Sequence, residues 1–123
     1  MSALPLFVYG TLLAGGARSG LLSGLRRQPA RVRGHLFRMP AGYPALELAD
    51  DGDVHGELLA APADRVLELL DLYEGVHEGL YMRIQVRAII GLQSERAWAY
   101  VMDEPRLKGG RLIPSGRYRL RGR

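Results

Sequence analysis

The sequence contains no cysteine. Disulfide bonds, thiolate metal sites and cysteine nucleophiles are therefore excluded for these 123 residues. Histidine is also scarce: His35, His55 and His77 stand about twenty residues apart, without the short spacing of a metal-binding pair. We therefore expect no metal site and no cofactor.

Long apolar runs are missing as well, since none approaches the roughly 20 residues that a membrane-spanning helix needs. The first ten residues lack the basic start and extended apolar stretch of a secretion signal. These absences predict a cytoplasmic protein with no membrane partner. Apolar residues at 47% and charged residues at 24% are typical of a globular chain, so we expect a single domain over residues 1–123.

Acidic residues are absent from position 106 onward, where seven basic residues fall. The formal net charge of +4 is a property of this tail, because the first 105 residues hold 10 basic and 13 acidic side chains. A basic tail over 106–123 could be flexible and could bind a phosphate backbone or an acidic partner in a salt-sensitive way. Tyr118 is its one aromatic residue for base stacking, so we expect no nucleic-acid partner.

The rest of the chain is dominated by short segments that alternate apolar and polar residues, the pattern of strands with one buried face. The predicted strands are "LPLFVY", "ARVRGHLFRM", "YPALEL", "VHGELLA", "YMRIQVRAII" and "RAWAYVM". We expect "ADDGD" to form a turn within an antiparallel meander, and "GLQSE" to connect a hairpin.

One helix is well marked, at "PADRVLELLDLYEG". It has a proline near its first turn, a glycine just past its end, and an apolar stripe at 3 to 4 spacing formed by Val66, Leu69, Leu70 and Tyr73. A weaker helical pattern covers Leu21, Leu22 and Leu25. We predict an α+β fold: a small, mixed, mostly antiparallel, barrel-like sheet with one or two flanking helices.

Two segments can carry chemistry. In "YGTLLAGG" a strand runs into glycines, so successive backbone N–H groups can point into one concavity and hold an anion, although a plain strand-to-helix turn fits equally well. Glu74 follows the helix, near the negative end of its dipole and one turn after Asp71. If partly buried, its carboxyl group should have a pKa raised toward neutrality, as a group that takes and returns a proton requires; a solvated glutamate is the alternative.

Taken together, "FVYGTL", "YPAL", "GELL", "LDLYEG", "YMRIQV", "AWAY" and "IPSGRY" resemble the gamma-glutamylcyclotransferase-like family, which includes gamma-glutamylamine cyclotransferases and AIG2-like proteins. The resemblance covers nearly the whole chain and implies a small barrel with packed helices. It implies that Glu74 is the catalytic general base and acid, and that the substrate is a small gamma-glutamyl amide. The implied substrate-binding residues are Tyr9, Gly10, Thr11, Leu12 and Tyr81.

Such an enzyme would cyclise the gamma-glutamyl group to 5-oxoproline and release an amine or amino acid. Two alternatives stay open: a gamma-glutamyl acyltransferase or amide-cleaving enzyme acting on a larger metabolite, and a non-catalytic module that binds small carboxylates. Tyr81 poses a question of geometry, because strict alternation along the following strand turns it away from Met82, Ile84 and Val86. The sequence shows neither the amine half of the substrate nor the oligomeric state.

Overall fold

The computed structural model describes residues 3–10, 22 and 24–118. Within these residues it contains six strands, one α-helix and a short 3-10 helix. Their bounds are β1 Leu6–Val8, β2 Arg27–Arg38, β3 Pro44–Leu59, α1 Asp64–Tyr73, β4 Met82–Ile90, β5 Gln93–Val101, the 3-10 helix Pro105–Lys108 and β6 Arg111–Leu112. Of the weaker helical pattern predicted at Leu21, Leu22 and Leu25, the structure describes Leu22, which is buried, and Leu25, whose N–H donates to the Leu22 carbonyl at 3.4 Å; Leu21 lies outside the described residues.

Five of the strands close into a barrel in the order β3, β1, β5, β4, β2, with β2 pairing back onto β3. The pairing of β1 with β5 is parallel and the other pairings are antiparallel. The short β6 adds to the free end of β2, as a closing strand. The fold is therefore α+β with a closed, mixed five-stranded barrel and one α-helix, which confirms the predicted fold class.

The predicted turn at "ADDGD" is wrong, because β3 runs without a break for 16 residues. Both halves of β3 pair with the same strand, β2: Arg33 stands opposite Asp53, and the next residue, Gly34, stands opposite Leu48. Residues 49–52 are thus an irregular bulge within β3, and they do not connect two separate strands. A bulge bends a long strand, which lets β2 and β3 curl around a narrow barrel.

Helix α1 has the predicted position, but the face that it buries is rotated from the predicted one. Leu67 and Leu70 are buried, whereas Leu69 and Tyr73 are 45% and 51% exposed. The inner face therefore continues from Leu67 and Leu70 to two partly buried acidic residues, at positions 71 and 74. Because of this rotation, Asp71 and Glu74 lie on the partly buried side of α1.

The hairpin of β4 and β5 confirms the prediction, with a tighter connection than "GLQSE", because Ile90 already pairs with Gln93. On the inward face of the hairpin, Val86, Ala88 and Ala97 are buried.

Among the residues that the structure describes, no helix is long and apolar enough to span a membrane.

Candidate active site

The end of helix α1 fixes the position of Glu74. Glu74 is the C-cap residue, and Gly75 takes the left-handed conformation, with φ +66°. The Gly75 N–H donates to the Leu72 carbonyl at 3.2 Å, and the Val76 N–H donates to the Asp71 carbonyl at 3.0 Å. This pair of bonds is the Schellman motif, which requires a residue that tolerates positive φ just after the cap. The "EG" step therefore stops the helix and holds Glu74 in its last turn.

Glu74 is partly buried, and its charge acts on three tyrosine hydroxyl groups. Burial is the main reason that the pKa values of Tyr9, Tyr81 and Tyr100 lie far above their usual 10.0. The negative charge of Glu74 raises all three pKa values further. The charge of Glu74 is thus felt at Tyr9 after β1, at Tyr81 before β4 and at Tyr100 in β5.

Tyr9 follows β1 and is only 7% exposed. Its hydroxyl group donates to the Tyr100 carbonyl at 2.7 Å and accepts from the Leu46 N–H at 3.2 Å. Gly10 comes next and lies directly on Pro44, since a Cβ atom at Gly10 would stand 2.5 Å from Pro44 Cγ. Position 10 therefore requires glycine, because the backbone there packs closely against Pro44, the first residue of β3.

Tyr81 is buried at 5% exposure, and its hydroxyl group donates to the Pro44 carbonyl at 2.5 Å. It precedes β4, so the alternation of that strand does not set its direction. The rings of Tyr43 and Tyr81 lie 6.1 Å apart and are tilted by 57°. Pro44, the proline of "YPAL", is thus contacted by Gly10 and hydrogen-bonded by Tyr81, and it joins the two segments.

Asp71, Arg83 and Tyr100 form a second polar group beside Glu74, which we call the Asp71 cluster. Arg83 Nε and Nη2 donate to Asp71 Oδ1 and Oδ2 at 2.8 and 3.1 Å, and the Tyr100 hydroxyl group donates to Oδ1 at 2.7 Å. The Arg83 guanidinium also lies over the Trp98 ring, 4.5 Å from its centroid. Burial raises the pKa of Asp71, but the hydrogen bonds from Arg83 and Tyr100 outweigh it, so the pKa lies below the usual 3.8.

Sequence reasoning missed this cluster. Arg83 is a partly buried strand residue, and two of its three guanidinium nitrogens bind Asp71. A signal was present in the spacing, since Asp71 and Glu74 continue the i, i+3, i+4, i+7 row that begins at Leu67. The partners in β4 and β5 could not be read from that row.

Four of the predicted site residues come together in the structure: Tyr9, Gly10, Glu74 and Tyr81. Thr11 and Leu12 lie outside the described residues. Glu78, in the loop after the helix, is exposed. Within residues 3–10, 22 and 24–118, no group of three or more acidic or histidine side chains could hold a metal ion. That these residues bind a substrate stays a prediction.

A sequence model of the family described as gamma-glutamyl cyclotransferase, AIG2-like, matches residues 6–120. The chain belongs to this family. The match runs from the first strand to beyond the last described residue, so it includes every segment of the candidate site. No curated protein sequence matches the chain.

Solved structures agree with this assignment. YkqA from Bacillus subtilis is 26% identical and superposes with a TM-score of 0.75 over 95% of this chain, which spans only 40% of the length of YkqA. An AIG2-like protein from Mus musculus, 19% identical, matches 100% of this chain and 99% of its own length with a TM-score of 0.74. A structure named gamma-glutamyl cyclotransferase, 20% identical, matches 83% of this chain and 68% of its own length with a TM-score of 0.66. At such low identity the latter two show the fold alone.

Proposed function

We propose that this protein cyclises the gamma-glutamyl group of a small gamma-glutamyl amide, releasing 5-oxoproline and an amine or amino acid. The observation that carries the proposal is the placement of Glu74. Glu74 is partly buried in the last turn of α1, and its charge raises the pKa values of the Tyr9 and Tyr81 hydroxyl groups. Membership of the family supports the same reaction class.

The substrate supplies its own nucleophile in this reaction. The α-amine attacks the γ-carbonyl carbon, a new C–N bond closes the five-membered lactam, and the C–N bond to the leaving amine breaks. The protein must fold the substrate into this geometry and move two protons. Glu74 takes a proton from the substrate ammonium group and later delivers one to the leaving nitrogen. No enzyme nucleophile is required, in accord with a chain that lacks cysteine.

The developing oxyanion needs hydrogen-bond donors that are already in place. We assign this role to backbone N–H groups of the turn after β1, formed by Tyr9, Gly10, Thr11 and Leu12. The hydroxyl groups of Tyr9 and Tyr81 have another task, because both already donate to backbone carbonyls. In this proposal they hold the walls of the site, and the backbone and Glu74 contact the reacting atoms.

A panel of gamma-glutamyl amino acids and amines tests the proposal, with 5-oxoproline, glutamate and the free amine measured separately. Release of 5-oxoproline and amine in equal amounts supports cyclisation. Glutamate, or transfer of the gamma-glutamyl group to another amine, would replace it with the amide-cleaving or acyl-transfer alternative. A ligand that raises the melting temperature and is recovered unchanged would indicate a binding module.

A further inference from the structure

Asp71 lies three residues before Glu74, and its carboxylate accepts three hydrogen bonds. Two arginine nitrogens and one tyrosine hydroxyl group donate to Asp71, whose side chain is 16% exposed. Arg83 is itself 22% exposed and packed over Trp98, so its position is set by the sheet. A bidentate arginine fixes both the distance and the orientation of the carboxylate that it binds. Asp71 is therefore tied to β4 and β5 in one geometry.

This tie acts on the last turn of α1. The Asp71 carbonyl accepts the Val76 N–H of the Schellman motif, so the residue that is held by the sheet also takes part in ending the helix. Glu74 lies between these two contacts in sequence, on the same face of the helix as Asp71. Any rotation of the last turn would move both carboxylates together. Holding Asp71 consequently limits where the Glu74 carboxylate can stand.

Tyr100 connects the same cluster to the other half of the site. Its hydroxyl group donates to Asp71, and its carbonyl accepts the Tyr9 hydroxyl group at 2.7 Å. One residue of β5 thus contacts both the helix that carries Glu74 and the residue that precedes Gly10. Tyr100 therefore connects the last turn of α1 to Tyr9.

We propose that Asp71, held by Arg83 and Tyr100, is a positioning residue for Glu74 that fixes the last turn of α1, and with it the Glu74 carboxylate, relative to Tyr9. The inference rests on the proposed function for its consequence in catalysis. The cluster contributes no group to the reacting atoms, because each polar group described in it is already paired within the protein. Its effect on the reaction passes through Glu74.

The kinetic test uses Asp71→Asn and Tyr100→Phe, with Glu68→Gln as the matched control on the exposed side of the same helix. With a substrate that the wild type turns over, we expect Asp71→Asn to lower kcat about 10- to 100-fold, as misplacement of a catalytic group does, with KM within about twofold. Tyr100→Phe should give a smaller loss in kcat, and Glu68→Gln none. A raised KM with unchanged kcat would overturn the inference.

Combining each variant with Glu74→Gln separates positioning from general damage to the fold. If Asp71 acts through Glu74, Asp71→Asn should change the residual activity of Glu74→Gln by less than about twofold, because residues that act as a unit are not additive. A further loss as large as in the wild-type background would show that Asp71 acts elsewhere, and would reject the proposal.

A spectroscopic readout is independent of any reaction. In protein labelled with ¹³C at the glutamate side-chain carboxyl carbon, Glu74→Gln assigns the Glu74 resonance. Tyr100→Phe leaves the Asp71 charge in place; we expect a shift of that resonance in Tyr100→Phe and Asp71→Asn, and none in Glu68→Gln. An unmoved resonance in Tyr100→Phe overturns the inference, whereas a wild type that makes no 5-oxoproline overturns only the proposed function.

Discussion

Two groups of ion pairs, one between α1 and β4 and one between β2 and β3, use the same residue types in different surroundings. In the Asp71 cluster the pair is bidentate, at 2.8 and 3.1 Å, and mostly buried. On the bulged part of β2 and β3, Arg31 and Arg33 approach Asp53 at 3.5 and 3.8 Å, with side chains 39% to 54% exposed; we call these residues the Asp53 cluster. We expect the Asp71 cluster to contribute more to stability than the Asp53 cluster. The Asp71 pair is bidentate and mostly buried, whereas exposed pairs at longer distances contribute little.

The largest expected effect on stability is that of Asp71→Asn. The change weakens three hydrogen bonds to a charged acceptor in a partly buried site, and we expect the free energy of unfolding to fall by about 2 to 3 kcal/mol. Urea denaturation followed by circular dichroism measures it. Asp53→Asn is the control, and a loss for Asp53→Asn that equals the loss for Asp71→Asn would remove the distinction between the two clusters.

Gly75→Ala tests whether the backbone conformation at the end of α1 fixes the position of Glu74. Alanine at φ +66° should cost about 1 to 2 kcal/mol, and its Cβ atom would stand 3.1 Å from Leu80 Cβ. Gly79→Ala, at φ +77° with no atom within 4 Å of the added Cβ, carries the same conformational cost away from the helix cap. Thermal melts should show similar losses, but only Gly75→Ala should lower the rate of 5-oxoproline release. Equal rates in both variants would contradict the account.

Strong acid should remove the stability that the Asp71 cluster contributes. The pKa of Asp71 is lowered in the folded state, so its contribution to stability is complete above the ordinary value of 3.8 and is lost as the pH falls through the lower folded value. The difference in unfolding free energy between the wild type and Asp71→Asn should therefore be constant between about pH 5 and 7 and shrink below about pH 4. Denaturation series at four or five pH values measure this difference. A gap that persists undiminished at pH 2 would argue against the charge as its source.

The smallest effect is expected at the Asp53 cluster. Arg31→Gln should change the free energy of unfolding by less than about 0.5 kcal/mol, because its pair with Asp53 is exposed and long. The change should vanish in 1 M salt, where the Debye length is about 3 Å. Paired denaturation curves at low and high salt test it. A salt-independent loss above about 1 kcal/mol would mean that this surface carries more of the fold than its geometry indicates.

The parts of the fold that follow from local pattern could be predicted. The bounds of α1 follow from Pro62, the apolar spacing and Gly75, and the alternation around Val32 and Leu36 gave the buried face of β2. The bulge at residues 49–52 could not be recognised, because "ADDGD" has the composition of a turn. Its role depends on β2 pairing with both halves of β3, a long-range feature.

The candidate site was predicted only in part, for a similar reason. Glu74 and the glycine turn were singled out from the residues, the family resemblance gave them roles, and Gly10 and Tyr81 do meet at Pro44. Asp71 was read as like charge beside Glu74, whereas the structure pairs it with Arg83. A carboxylate on the inner face of a helix is stable only where donors meet it, and its donors come from strands 12 and 29 residues away in sequence.

The most direct test of the central claim compares 5-oxoproline release by the wild type, Glu74→Gln and Glu78→Gln, each confirmed to be folded. Both variants lose one carboxylate from the same short segment, but Glu74 is partly buried and its charge raises the pKa values of Tyr9 and Tyr81, whereas Glu78 is exposed. We expect Glu74→Gln to lose at least about 100-fold in kcat and Glu78→Gln to keep the wild-type rate. Activity of Glu74→Gln within about twofold of the wild type would contradict the assignment of proton transfer to Glu74.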